Sequence, residues 1–192
     1  MKHQIKNRIT SKVLFECDIP DDVETVNEVK YALAKAVKEK ATMSHAGLSG
    51  ADLYYANLSG ADLSNAILSN AILSNAILSN ADLTGADLSG ADLNGADLNG
   101  AKLNGAKLKN NEVLVGNRPI FSIGPIGSRP DNFIAYITDK GIRLDAGCKK
   151  NITLEEFEGL LSETHGNNVH GREYRAALAL ISIHHELWGV KQ

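Results

Sequence analysis

Hydrophobic and polar positions along this chain keep three different rhythms. From Ala46 to Asn110 the beat is five residues and never slips: AGLSG ADLYY ANLSG ADLSN, then AILSN three times, then ADLTG ADLSG ADLNG ADLNG AKLNG AKLKN. Ala41-Thr42-Met43-Ser44-His45 joins as a degenerate first copy, which makes fourteen pentads. Ala opens each pentad and Leu holds the third place, except for Met43. A period of five fits neither the 3.6 of an amphipathic helix nor the 2.0 of a strand. It suits a chain that turns a corner every pentad, sending Ala and Leu inward and the polar residues outward. Gly or Asn at the fifth place tolerates the left-handed backbone a corner needs. In a helix each such Gly would cost about 1 kcal/mol.

The flanks follow ordinary periods. Val13, Phe15, Cys17 and Ile19 alternate as one face of a strand. Asp21 and Glu24 have capping-box spacing, and Val26, Val29, Leu33 and Val37 continue at helical spacing, predicting a helix that runs into the first pentads. A strand-helix cap of this kind is what the end of a solenoid requires, because an open core and an unpaired edge invite association. Cys17 alternates with apolar residues and belongs to the core.

After Asn110 the five-beat stops. Phe121 and Ile123 suggest a strand, and residues 133–137 and 142–144 flank Asp139-Lys140-Gly141 as a hairpin. Thr153-Leu154-Glu155-Glu156 is a capping box for a helix to about Thr164. A longer helix is expected from near Gly171 to Trp188, with Tyr174, Ala177, Leu178, Ile181 and His185 on one stripe. The expected domains are therefore a cap over 1–40, the repeats over 41–110, and a small α+β domain of three strands and two helices over 111–192.

The pentads resemble the pentapeptide-repeat family, A(D/N)LXX, over Ala41 to Asn110. That resemblance implies a mainly β fold: a right-handed quadrilateral parallel β-helix with four pentads per coil, so that residues twenty apart stack on one face. On this register the second-place residues stack as Gly47, Ile67, Asp87, Lys107; Asp52, Ile72, Asp92; Asn57, Ile77, Asp97; and Thr42, Asp62, Asp82, Lys102. Coils lie about 4.8 Å apart. An Asp at position 72 would sit between Asp52 and Asp92, and opposed like charges destabilise a sheet, so Ile there removes a repulsion. The same logic sets Lys102 on Asp82 and Lys107 on Asp87. Ile67 and Ile77 face one acid each and are less well explained this way. Tyr54 and Tyr55 belong to the pentad stacked on Ala71 to Asn75, so Tyr54, Tyr55, Ile67, Ile72 and Ile77 form a candidate binding patch, since a contiguous apolar patch marks an interface. Charge relief after repeat duplication and contact with a partner both remain open.

Composition narrows the function classes without naming one. The 192 residues carry a net charge of -3 and are 43% hydrophobic, which fits neither a basic nucleic-acid binder nor a disordered acidic chain. Pentapeptide-repeat proteins known from quinolone resistance resemble duplex DNA, but three and a half coils span about 17 Å and would face about ten phosphates of duplex. Six Asp in the repeats, offset by Lys102, Lys107 and Lys109, make a poor mimic. The start of the chain does not look like a signal peptide, and no apolar run approaches the roughly 20 residues of a bilayer span, so a cytoplasmic protein with reduced thiols is expected, with no role at a membrane or in direct nucleic-acid binding. Segments similar to IKNRITSKVLFE, and to IGPIGSR, GC, LEEF, HG and EY in that order, occur in uncharacterised pentapeptide-repeat proteins of phages and prophages, a resemblance that implies a phage context and no activity.

Chemistry is sparse. Gly124-Pro125-Ile126-Gly127-Ser128-Arg129 offers backbone N–H groups, a hydroxyl and a guanidinium suited to an anion, without the Lys or spacing of a P-loop. Gly127, Ser128 and Arg129, joined by His165, His170 and Tyr174, are the candidate ligand site, a phosphate or nucleotide being the class of ligand. Cys148, His165 and His170 lack the closely spaced pairs and fourth ligand of a metal centre. No catalytic triad, metal site or cofactor is expected. Two functions of different class follow: a non-enzymatic protein that binds a host or phage protein or a second copy of itself through the solenoid, and a ligand-sequestering module or small enzyme in the C-terminal domain.

Overall fold

The corner residues decide the architecture of the first half. In a computed structural model that describes residues 1–124, 126–127, 133–146 and 149–189, every fifth place from His45 to Asn110 has a φ between 55° and 76°. At each corner from His45 to Gly105 a four-residue turn closes from the third-place carbonyl to the next Ala, as in Ala71 N–H to Leu68 O at 3.0 Å. A left-handed third residue in such a turn is the type II geometry, which explains Gly and Asn there.

Between corners the second-place residues form parallel bridges at a spacing of twenty: Gly47 to Ile67 to Asp87 to Lys107, Asp52 to Ile72 to Asp92, Asn57 to Ile77 to Asp97, and Asp62 to Asp82 to Lys102. Each coil therefore holds four pentads. Backbone bonds run both ways along a stack, with Ile72 N–H donating to Ala51 O at 2.9 Å and Leu73 N–H to Asp92 O at 2.8 Å. Leu53, Leu58, Leu63, Leu68, Leu73, Leu78 and Leu83 are fully buried, as the inward third place requires. Burial of this order contributes roughly 1.5–3 kcal/mol per leucine. A Cβ added at Gly85 would lie 2.6 Å from the Asn65 amide oxygen, and one at Gly90 would lie 2.6 Å from that of Asn70. Asn at one corner thus needs Gly at the corner one coil on, and the switch from AILSN to ADLNG follows that rule.

The chain forms two compact units, Met1–Asn111 and Glu112–Gln192. In the first, β1 (Lys2–Lys6) pairs antiparallel with β2 (Val13–Asp18), and α1 (Glu28–Lys38) packs on that hairpin. The hairpin closes the edge of the first coil through Gly47 N–H to Lys6 O at 3.0 Å and Arg8 N–H to His45 O at 3.1 Å. Ile5, Cys17, Ile19, Leu33, Ala36 and Met43 fill the plug beneath it. Glu28 is buried there with its carboxylate 3.2 Å from His3 Nδ1. Burial pushes the Cys17 thiol up, which keeps it protonated.

Two sequence expectations fail here. Asp21 and Glu24 do not form a capping box: Pro20 to Val23 closes a turn, a 3-10 turn covers Thr25–Asn27, and α1 starts only at Glu28 with no side-chain cap. The strand β1 was not expected, since Ile5 is its one core apolar residue.

In the second unit β3 (Ile120–Ile123), β4 (Phe133–Thr138), β5 (Gly141–Ala146) and β6 (Lys149–Thr153) form an antiparallel sheet in that order. Helices α2 (Leu154–Thr164) and α3 (Val169–Trp188) follow. Asp139 and Lys140 make the two-residue turn between β4 and β5. Thr153 caps α2 in a capping box with Glu156, and Asn168 caps α3. One core joins Phe133, Ala135 and Leu144 of the sheet to Phe157, Leu161, Tyr174, Leu178 and Ile181 of the helices. The sheet has four strands where three were expected, and His185 is exposed rather than on the buried stripe of α3. Glu112 is buried and takes a bifurcated bond from Arg143, 2.9 Å from Nε and 2.8 Å from Nη2.

Candidate interaction face

Second-place side chains show what an isoleucine forgoes. Asp52, Asn57, Asp62, Asp82, Asp87, Asp92 and Asp97 each accept, at 3.0–3.1 Å, from the backbone N–H two residues on. These bonds brace the corner, each worth about 1 kcal/mol. Ile67, Ile72 and Ile77 supply no acceptor, so three consecutive corners go without the brace.

Charge relief explains only part of that loss. Asp62 stacks on Asp82. Burial raises the Asp62 carboxyl, but bonds from Ser64 and Thr42 outweigh it and hold the net value below the usual range despite the Asp82 charge. The Thr84 hydroxyl and backbone N–H, with Lys102 at 3.2 Å, lower Asp82 in the same way against its own burial. A single stacked acid is therefore tolerated where turn bonds are present. Ile67 and Ile77 have one acidic neighbour each, Asp87 and Asp97, and only Ile72 lies between two.

The Tyr54-Tyr55 pentad does stack on Ala71 to Asn75, through Leu53 N–H to Ile72 O at 2.9 Å and Tyr55 N–H to Ser74 O at 3.3 Å. The two rings meet edge to face with centroids 4.3 Å apart, and hydrogen bonding with Tyr55 pushes the Tyr54 phenol up. Tyr54 is 44% exposed, Tyr55 65%, Ile72 42% and Ile77 40%, while Ile67 is half-buried. Tyr55 stands at a corner with φ 56°, where the other thirteen corners carry Gly, Asn or His45. An aromatic residue in that region is strained by about 1 kcal/mol or more. The ring also walls an open groove of about 540 Å³, with Asn57 beside it and Asp22, Glu24, Tyr31 and Ala34 of the α1 side opposite. Lys30 Nζ reaches Tyr54 O at 3.4 Å across the same gap. No sequence signal placed α1 next to Tyr55, because the helix phase shows which face is apolar and not which wall it meets.

The repeat pattern now has an independent match. A family profile for pentapeptide repeats covers residues 39–70, 46–85 and 71–110, in eight copies. Residues 39–110 belong to the pentapeptide-repeat family. The repeats form a β-helix solenoid, with parallel bridges twenty residues apart. Among solved structures, a pentapeptide-repeat protein from the Arabidopsis thaliana thylakoid lumen is 39% identical over 36% of this chain and 48% of its own, with a TM-score of 0.35. HetL, a pentapeptide-repeat protein involved in heterocyst differentiation regulation in the cyanobacterium Nostoc, is 38% identical over 38% of each chain, with a TM-score of 0.22. Another Nostoc pentapeptide-repeat protein is 34% identical over 42% of this chain and 80% of its own, with a TM-score of 0.19. This pentapeptide-repeat chain thus spans less than half the length of the first two, and no curated protein matches it significantly.

The C-terminal candidates come together only in part. Gly127, His165, His170 and Tyr174 converge, the His165 ring lying 5.8 Å from His170 and 5.9 Å from Tyr174. Tyr174 is buried among Phe133 and Phe157, and its ring lies directly over Gly127. Glu173 takes the Gly127 N–H at 3.0 Å and sits 3.6 Å from His170 Nδ1. A carboxylate therefore occupies the donor that an anion would use. Ser128, Arg129 and Cys148 lie outside the described residues. Among the described residues no group of three His, Cys, Asp or Glu is arranged to hold a metal, and no helix is long and apolar enough to cross a membrane.

Proposed function

We propose that this pentapeptide-repeat protein is a non-enzymatic binding protein whose rigid solenoid presents Tyr54, Tyr55, Ile67, Ile72 and Ile77 to a protein partner. One observation carries the proposal: Tyr55 occupies a left-handed corner at φ 56° while 65% exposed. A strained aromatic residue that buries little within its own chain is the kind of local conflict that accompanies a functional site. The unbraced corners at Ile67, Ile72 and Ile77 add a second cost on adjoining walls. The resemblance of both ends to phage and prophage proteins makes a host or phage protein of the cytoplasm the natural partner. The experiment is cross-linking with mass spectrometry on the full chain and on Tyr55→Gly/Ile72→Asn. A partner cross-linked near residues 54–77 in the parent and lost in the variant, at an unchanged melting temperature, supports the proposal. Cross-links that are unchanged in the variant refute it.

A further inference from the structure

Helix α3 is apolar on two opposite sides, and only one is covered. Its buried stripe, Tyr174, Ala177, Leu178 and Ile181, faces the sheet and α2. On the far side Val169 is 57% exposed, Leu180 51%, Ile183 52% and Leu187 64%, with exposed Ala176 in the same line. Ala176, Leu180, Ile183 and Leu187 are separated by 4, 3 and 4 residues, and Val169 lies one heptad before Ala176. That alternation is the a/d seam of a helix made to meet another helix. Glu173 fills the remaining seam position, but its carboxylate is drawn aside to Gly127 N–H and towards His170.

We propose that this seam docks against α3 of a second copy of the chain, with the two helices antiparallel. The charges select that orientation. Parallel helices would set Glu173 against Glu173. Antiparallel helices centred near residue 178 put Leu187 against Val169 and Leu180 against Ala176 of the partner subunit. They also bring Arg172 beside Glu186 of the partner subunit at both ends, a favourable flanking pair. Arg172 and Glu186 are exposed and form no ion pair with described residues of their own chain. The area sets the strength. Each half-exposed Val, Leu or Ile has on the order of 50–100 Å² left to bury. Eight of them, with Ala176, Ala179 and the Arg172 stem, approach about 1,000 Å², the lower edge of a specific interface. The dimer is therefore of the weak, reversible class to which interfaces below about 1,200 Å² belong.

Sedimentation equilibrium of the full chain across roughly 5–500 μM, within the micromolar-to-millimolar span of weak association, is the test, with circular dichroism confirming that each variant folds. The expected result is a mass that doubles over this range, remains monomeric in Leu180→Glu, and still doubles in Ile72→Asn, which leaves the seam intact. Arg172→Glu and Glu186→Arg each weaken association about tenfold, and the double exchange restores it. A monomer at every concentration overturns the proposal, as does a dimer that survives Leu180→Glu. A double exchange that fails to restore association overturns the antiparallel arrangement.

Discussion

In the solenoid each buried leucine sits among Ala and Leu residues of neighbouring coils, and every wall repeats the bonds of the wall before it. In the C-terminal unit Phe133 meets Phe157 and Tyr174 from elements far apart in sequence, and no contact repeats. The first design spreads stability over many equal local steps, as in one-dimensional repeat folds. The second concentrates it in a few residues. A repeat makes departures conspicuous, so Tyr55 and the three isoleucines stand out against fourteen corners. A heterogeneous core hides its departures, and there the exposed seam of α3 emerges only once burial is known.

The largest effects test that contrast. Phe133→Ala, in the shared aromatic core, should cost about 3–5 kcal/mol, read from the denaturant transition of Trp188, the only tryptophan and a reporter for its own unit. Breaking the buried pair with Glu112→Ala should cost about 3–5 kcal/mol in the same transition, because Arg143 is left buried and uncompensated. Leu73→Ala should cost about 2–5 kcal/mol in the far-ultraviolet transition of the solenoid.

Smaller effects sharpen the corner rules. Gly90→Ala should destabilise by about 1–2 kcal/mol, since φ is 72° and the added carbon meets Asn70. Asn70→Gly/Gly90→Ala should recover the part due to the clash and keep the part due to backbone strain. The smallest effect is in acid. Asp62 and Asp82 carboxyls lie below their ordinary values. They contribute stability that is present above about pH 4 and lost as pH falls through their lowered values. Asp82→Asn should flatten that loss in melts taken from pH 7 to pH 2.5, a span chosen to cover the ordinary and the lowered carboxylate values.

Much of this was legible from the chain alone, for identifiable reasons. A period of five with Gly and Asn at the corner pointed to a chain that turns every pentad, while the twenty-residue register of Asp52, Ile72 and Asp92 came from the resemblance to pentapeptide repeats, because the period alone does not say how many corners close a coil. Capping of α2 was legible because Thr153 and Glu156 bond each other locally. The Asp21-Glu24 spacing misled because Pro20 opens a turn that consumes those residues before the helix starts. Strands β1 and β6 carry KHQIK and KKNIT, too polar to show a period, and exist because a neighbouring strand supplies their partner bonds. Gly127, His165, His170 and Tyr174 lie together in the fold, a grouping their separation along the chain does not by itself show. Glu173, which takes the donor between them, had no signal beyond its place one turn from His170.

The central claim is that the Tyr54, Tyr55 and isoleucine face is kept for contact and not for folding. It is tested most directly by the melting temperature of a chain carrying Tyr54→Ser, Tyr55→Gly, Ile67→Asn, Ile72→Asn and Ile77→Asn. These changes return the three adjoining walls to the repeat's own consensus and supply three corner acceptors of the kind Asn57 provides to Ser59 N–H at 3.1 Å. The account predicts a melting temperature equal to or above that of the parent, by up to several degrees. A fall of several degrees would show that these side chains hold the solenoid together, and would contradict it.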